Sequence, residues 1–253
     1  MIETVTPESV GMCSIRLKRI TDWLDQQIKD EKLAGASVLI NRHGQVPSFE
    51  TAGYAEHETA RVFDKDTIVR IYSMSKPVTS VAAMMLYEAG CFQLDHPVSK
   101  YIPEFAETPV WVGGDAPLSE TVPQESPMLV RDVLCHTSGL TYGFMNTNVV
   151  DAMYREKGLR EPPTQGDLEA WTTTLTSIPL ICQPGSQWNY SVSTDVVGRL
   201  VEIWSGKTLD AFFEENIFQP LGMIHTGFQV NEENRERFAA LYAPLIGGGL
   251  GQS

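Results

Sequence analysis

Apolar positions fall at helical spacing in several stretches of the chain. Between Ser14 and about Lys32, Ile15, Leu17, Ile20, Trp23, Leu24 and Ile28 form one stripe. That pattern predicts an amphipathic helix with Ser14 as its N-cap. A second helix is predicted from Val78, Val81, Ala82, Met84, Met85 and Leu86, with Gly90 just past its end. Pro77 is tolerated only in a first turn, which places the start of that helix at or near Ser73. Val130–Leu134 reads as a short helix, and Thr194–Trp204 and Leu209–Ile217 as longer ones. Gly35–Arg42 and Gln45–Tyr54 read as two strands joined at His43-Gly44. A lone hairpin is marginal, so it needs a covering helix and further strands. Glu107–Pro127 follows neither period and is rich in Gly, Pro, Ser and Thr, which predicts a long surface excursion.

Composition changes this picture little. The 253 residues are 42% hydrophobic, enough for one large domain or two joined lobes. A formal net charge of −13 argues against nucleic acid and anionic membranes as partners. Cys13, Cys91, Cys135 and Cys182 are widely spaced and match no metal pattern. The first residues lack a basic segment followed by an apolar one, and no apolar run spans a bilayer. A cytoplasmic location with reduced thiols is the expectation.

Chemistry concentrates in Ile71-Tyr72-Ser73-Met74-Ser75-Lys76-Pro77. Residues three apart on a helix share a face, so Ser73 and Lys76 should point together. A serine hydroxyl needs a nearby base to become a nucleophile. Lysine serves only when neutral; burial and the positive helix end are both expected to lower its pKa. The Ser73 N–H, at the same helix end, would favour developing negative charge. Tyr190 follows the turn Pro184-Gly185 and precedes an apolar helix. A phenol beside an ammonium loses its proton more easily, so Tyr190 could take and return the Ser73 proton.

The five histidines show no metal spacing; His136, in His136-Thr137-Ser138-Gly139-Leu140, should fasten a turn. Ser205-Gly206-Lys207-Thr208 lacks the first glycine of a phosphate loop, and no G-x-S-x-G is present. His225-Thr226-Gly227 directly follows Pro220-Leu221-Gly222-Met223, where a loop is expected.

Three blocks in order are Ser73-Met74-Ser75-Lys76-Pro77, His136-Thr137-Ser138-Gly139-Leu140 and Tyr190-Ser191-Val192. With Leu94–Tyr101 and Pro220–Met223, they make the chain from Val10 to about Gly249 resemble class C β-lactamase-like serine hydrolases, and among these the family VIII carboxylesterases. The resemblance implies an α+β fold of the β-lactamase and penicillin-binding-protein type: an antiparallel sheet flanked by helices, with an inserted helical lobe. Segment 1–80 would hold the N-terminal part of the α/β lobe, 81–215 the helical lobe with the loop 107–127, and 216–253 the return. The active site would lie between the lobes. It also implies Ser73 as nucleophile, Lys76 as its activating partner, Tyr190 as general base and acid, and the Ser73 N–H as one oxyanion donor. Which of Lys76 and Tyr190 deprotonates Ser73 stays open. Met74 and Val192 would contact substrate. β-Lactamases of this class carry Tyr-x-Asn, so Val192 favours esters over lactams. No cofactor or metal is implied, and the expected partner is a small-molecule ester. Family chains run further and supply more strands and a third motif, so a second chain or a missing C-terminal segment would complete the sheet, and these 253 residues alone would be poorly soluble or inactive. The expected activity is short-chain ester hydrolysis. Its alternatives are a β-lactamase, a D-amino-acid peptidase, an acyltransferase, or an inactive penicillin-binding-like sensor.

Overall fold

In the computed structural model, which describes residues 2–159 and 167–253, the chain divides into two compact units, Met1–Ile71 with Phe228–Ser253 and Tyr72–Gly227. The first unit is built on the expected hairpin. Strands β1 (Gly35–Arg42) and β2 (Gln45–Glu56) pair antiparallel, with Gly35 opposite Gly53 and Ile40 opposite Ser48. His43 and Gly44 both have positive φ, 54° and 77°, the signature of a tight hairpin turn whose twist suits its strands. A short third strand, β3 (Arg61–Val62), extends the sheet beside β2.

Helix α1 (Ser14–Lys29) covers this sheet, but only part of its apolar stripe faces inward. Leu24 is buried, whereas Ile15 and Trp23 are 81% and 54% exposed. At about 100° per residue, Ile15 falls on the side opposite Leu17 and Leu24. Cys13 occupies the N-cap position, and the Ser14 N–H donates to Glu8 Oε1 at 2.9 Å.

After Phe228 the chain comes back beside β2. The Ala239 N–H donates to Ile68 O and the Ala240 N–H to Ala55 O, each at 2.8 Å. A second small hairpin pairs Tyr242–Pro244 with Leu250–Gln252. The Tyr242 hydroxyl accepts from the His57 N–H at 2.7 Å.

Gly53 is essential to this arrangement. Its φ is 77°, and an added Cβ would sit 2.3 Å from Ala34 O. The same backbone passage lets the Tyr54 N–H donate to Ala34 O at 2.8 Å. Gly53→Ala combines a disfavoured φ with a backbone clash and should cost more than ~2 kcal/mol. A clear fall in the thermal unfolding midpoint is the expected result.

The second unit is mainly helical. Helix α2 (Ser75–Glu88) packs along α6, and the helices between are α3 (Val130–Cys135), α4 (Val149–Glu156) and α5 (Leu168–Thr176), with α6 spanning Ser193–Ser205. Ala82 and Ala83 of α2 meet the buried Val196, Val197, Leu200 and Val201 face of α6 in one core. The small alanines let the two helices approach closely. Helix α7 (Leu209–Phe213) runs into a π-helical turn, Glu214–Phe218. The sequence-based segments 1–80, 81–215 and 216–253 therefore meet inside α2 and inside this turn, both of which belong to the second unit.

The excursion 107–127 is not wholly on the surface. Val110 and Trp111 pair with Val122 and Thr121 as β4 (Val110–Trp111) and β5 (Thr121–Val122), and both Val110 and Trp111 are buried. The Trp111 N–H donates to Leu180 O at 2.8 Å, and its indole N–H to Ala116 O at 3.1 Å. Two apolar side chains thus anchor a polar loop, a feature too short for periodicity to reveal.

Candidate active site

Ser73 lies one step earlier than expected. It sits in a 3₁₀ turn, Tyr72–Met74, and α2 begins only at Ser75. Tyr72 has a φ of 42°, a left-handed conformation costly for a residue with a Cβ. This kink turns Ser73 out to an exposed position at the mouth of α2. Pro77 remains in the first turn, where no N–H is needed. The i,i+3 relation survives the shift: Lys76 Nζ is 3.5 Å from Ser73 Oγ.

Tyr190 comes from a distant loop, and backbone bonds hold it. The Asn189 N–H donates to His136 O at 2.8 Å, the Asn189 side chain to Leu140 O at 2.8 Å, and the Gly185 N–H to Thr137 O at 2.7 Å. His136 has a φ of 60° and closes α3, so it does fasten the turn. Beneath the loop, the Ser138 and Ser191 hydroxyls each lie 2.7 Å from the buried Ser193 hydroxyl. The result sets Tyr190 Oη 2.6 Å from Ser73 Oγ.

A fourth group carries no sequence signal that singled it out. Tyr142 Oη accepts a hydrogen bond from Lys76 Nζ at 3.0 Å. Its loop hangs on Asp151, which is fully buried and accepts from Thr141 Oγ1 at 2.7 Å, Thr147 N at 2.8 Å and Thr147 Oγ1 at 2.9 Å. The one available hint was an aromatic two residues past the His136–Leu140 block. That block reads only as a turn, so nothing aims the phenol at Lys76.

The electrostatics separate the two tyrosines. Burial would push the Lys76 amine down, but hydrogen bonds with Tyr142 and Tyr190 outweigh it and hold the pKa above the ordinary lysine value. This corrects the expectation of a neutral lysine: the burial is incomplete and the phenol oxygens favour an ammonium. Burial would also raise Tyr190, yet its bond to Ser73 and the Lys76 charge bring it below the ordinary tyrosine value. Tyr142 goes the other way, raised by burial in spite of Lys76. Burial and the Lys76 charge both lower His136. Asp195, in the first turn of α6, is pushed up to about 6 by burial, with the Lys76 charge opposing. Two phenols share one ammonium and are driven apart, the pattern that divides acid and base roles.

The two expected substrate contacts differ. Met74 is 67% exposed beside Ser73, whereas Val192 is 2% exposed and belongs to the core. Val192 occupies the N-cap position of α6, where it packs inward, and the structure does not bring it to the site. Among the described residues, no group of three or more His, Cys, Asp or Glu side chains could hold a metal ion. No helix among them is long and apolar enough to cross a membrane.

Strands and helices of this kind form the α+β fold of β-lactamases and penicillin-binding proteins. An octameric penicillin-binding protein homologue from Pyrococcus abyssi superposes with a TM-score of 0.70 at 23% identity, covering 94% of this chain and 50% of that one. Residues 20–250 match the family described as Beta-lactamase, and the chain belongs to that family. Esterase EstB of Burkholderia gladioli is 33% identical over 226 residues, 88% of this chain and 54% of EstB. EstCE1, described as a hydrolase with promiscuous acyltransferase activity, superposes with a TM-score of 0.80 at 29% identity over 94% of this chain and 58% of EstCE1. The chain spans about half the length of the curated relatives it matches.

Proposed function

We propose that this chain carries the reaction centre of a serine carboxylesterase that cleaves short-chain esters through an acyl-enzyme. The observation that carries this is the contact of 2.6 Å between Tyr190 Oη and Ser73 Oγ, with the Lys76 ammonium 3.5 Å from the same oxygen. Tyr190, as phenolate, takes the Ser73 proton while Ser73 Oγ attacks the ester carbonyl. The Lys76 ammonium favours the phenolate and is itself oriented by Tyr142. The Ser73 N–H is one donor to the developing oxyanion. Collapse of the tetrahedral adduct breaks the bond to the leaving alkoxide, which receives the proton from Tyr190. Water then attacks the acyl-enzyme, gives its proton to Tyr190, and releases the acid while the proton returns to Ser73.

Kinship with EstB and EstCE1 supports an ester as the substrate. If an alcohol replaces water in the second half, the same groups perform acyl transfer, the activity described for EstCE1. Val192 offers no side-chain hydrogen bond to a lactam amide, wherever it packs.

Hydrolysis of p-nitrophenyl butyrate tests the proposal. A burst of p-nitrophenol, a butyryl adduct on Ser73, and loss of both in Ser73→Ala are expected. A stable adduct without turnover would instead favour a penicillin-binding-like sensor.

A further inference from the structure

Four aromatic rings form a row through the site. Phe144 stacks on Tyr142 with centroids 4.6 Å apart and 23° between planes. Tyr142 meets Tyr190 at 5.5 Å, and Tyr190 lies 6.5 Å from Trp188 at 26°. The inner two turn their hydroxyls to Lys76 and Ser73 and are half-buried. The outer two are open: Trp188 is 68% exposed and Phe144 56%. The indole is not loose on the surface, because the His136 ring props it edge-on at 6.3 Å and 71° while also contacting Tyr190 at 5.0 Å. A large ring held at 26° beside Tyr190 leaves an exposed flat apolar tile next to that phenol.

An ester leaves the carbonyl in two directions, and the chemistry says which one meets Trp188. The departing alkoxide oxygen must come within hydrogen-bond reach of the group that returns its proton, which is Tyr190 in the proposed esterase mechanism. The alcohol substituent therefore starts at Tyr190 Oη and runs outward past that ring. The exposed ring next in line, its plane tilted 26° from that of Tyr190, is Trp188.

We infer that Trp188 determines alcohol specificity: its indole face, propped by His136, forms a subsite for a planar or otherwise broad apolar alcohol group of the ester. This rests on the proposed esterase activity. It assigns the breadth of the substrate to the alcohol side and leaves the short acyl group to the other.

The test compares 2-naphthylmethyl butyrate with ethyl butyrate, two esters of the same acid whose leaving groups are both simple alkoxides. In Trp188→Ala, the ratio of kcat/KM values, naphthylmethyl over ethyl, should fall about tenfold, the scale of one lost aromatic contact and its burial. Trp188→Phe should retain most of the ratio, which a merely structural role would not require. An unchanged ratio in Trp188→Ala, with both esters still turned over, overturns the inference. So does a change confined to acyl preference, seen as an altered ratio of ethyl octanoate to ethyl butyrate. Absence of any turnover together with absence of Ser73 acylation in wild type overturns the esterase proposal, and this inference with it.

Discussion

Tyr190→Phe should lower kcat/KM for p-nitrophenyl butyrate by about 10²–10⁴-fold, the range for loss of a positioned proton-transfer group. The ring and its packing against His136, Tyr142 and Trp188 are kept, so only the oxygen 2.6 Å from Ser73 is removed. Both half-reactions should slow, because in the proposed mechanism Tyr190 serves the leaving group first and the attacking water second. Stopped-flow separation of the burst from the steady state checks this. A loss confined to one phase would assign Tyr190 to that step alone.

Lys76→Met should move the pH dependence upward. In the proposed mechanism activity needs the Tyr190 phenolate, so kcat/KM should rise with pH through the Tyr190 pKa. In the native site, contact with Ser73 and the Lys76 charge together set that pKa below the ordinary 10.0. Without the ammonium, the lowering from Lys76 disappears and only burial and Asp195, which both raise it, stand against the Ser73 bond. The rising limb therefore moves to higher pH, and the phenolate fraction at a fixed pH below the limb falls about tenfold for every pH unit the limb moves. Near neutral pH the variant should be slower than wild type, with partial recovery in strongly alkaline buffer. A variant equally slow at every pH would mean that Lys76 acts by contact with substrate and not through Tyr190.

Much of this site was legible because its chemistry lies in short local patterns. The three-residue spacing of Ser73 and Lys76 is a property of one helical turn, so it survived a start of α2 at Ser75 in place of Ser73. Tyr190 could be flagged because a turn and an apolar helix bracket it. Tyr142 could not, since its role depends on Asp151 of α4 holding the loop before that helix and on that loop meeting Lys76, 66 residues away in the chain. The burial of Val192 was not legible either: Tyr190, two residues before it, faces the serine, while Val192 caps the start of α6 and packs into the core. The lysine's charge was also beyond the sequence, because burial and phenol oxygens oppose one another there and only their distances settle the sign. In the fold, the β1–β2 hairpin declared itself through alternation and His43-Gly44, while the two-residue pair β4–β5 and the returning strand near Tyr242 were too short to show a period.

The central claim is that Ser73 is activated by a Tyr190 phenolate beside a Lys76 ammonium. The most direct measurement is the rate of covalent labelling by a fluorophosphonate ester, followed by intact-mass spectrometry across a pH series in wild type, Ser73→Ala and Tyr190→Phe. The account predicts one adduct, absent in Ser73→Ala, whose rate of formation rises with pH to a midpoint below 10 and loses that rise in Tyr190→Phe. Folded wild-type protein that takes no label, or a Tyr190→Phe variant that labels with the wild-type pH profile, would contradict it.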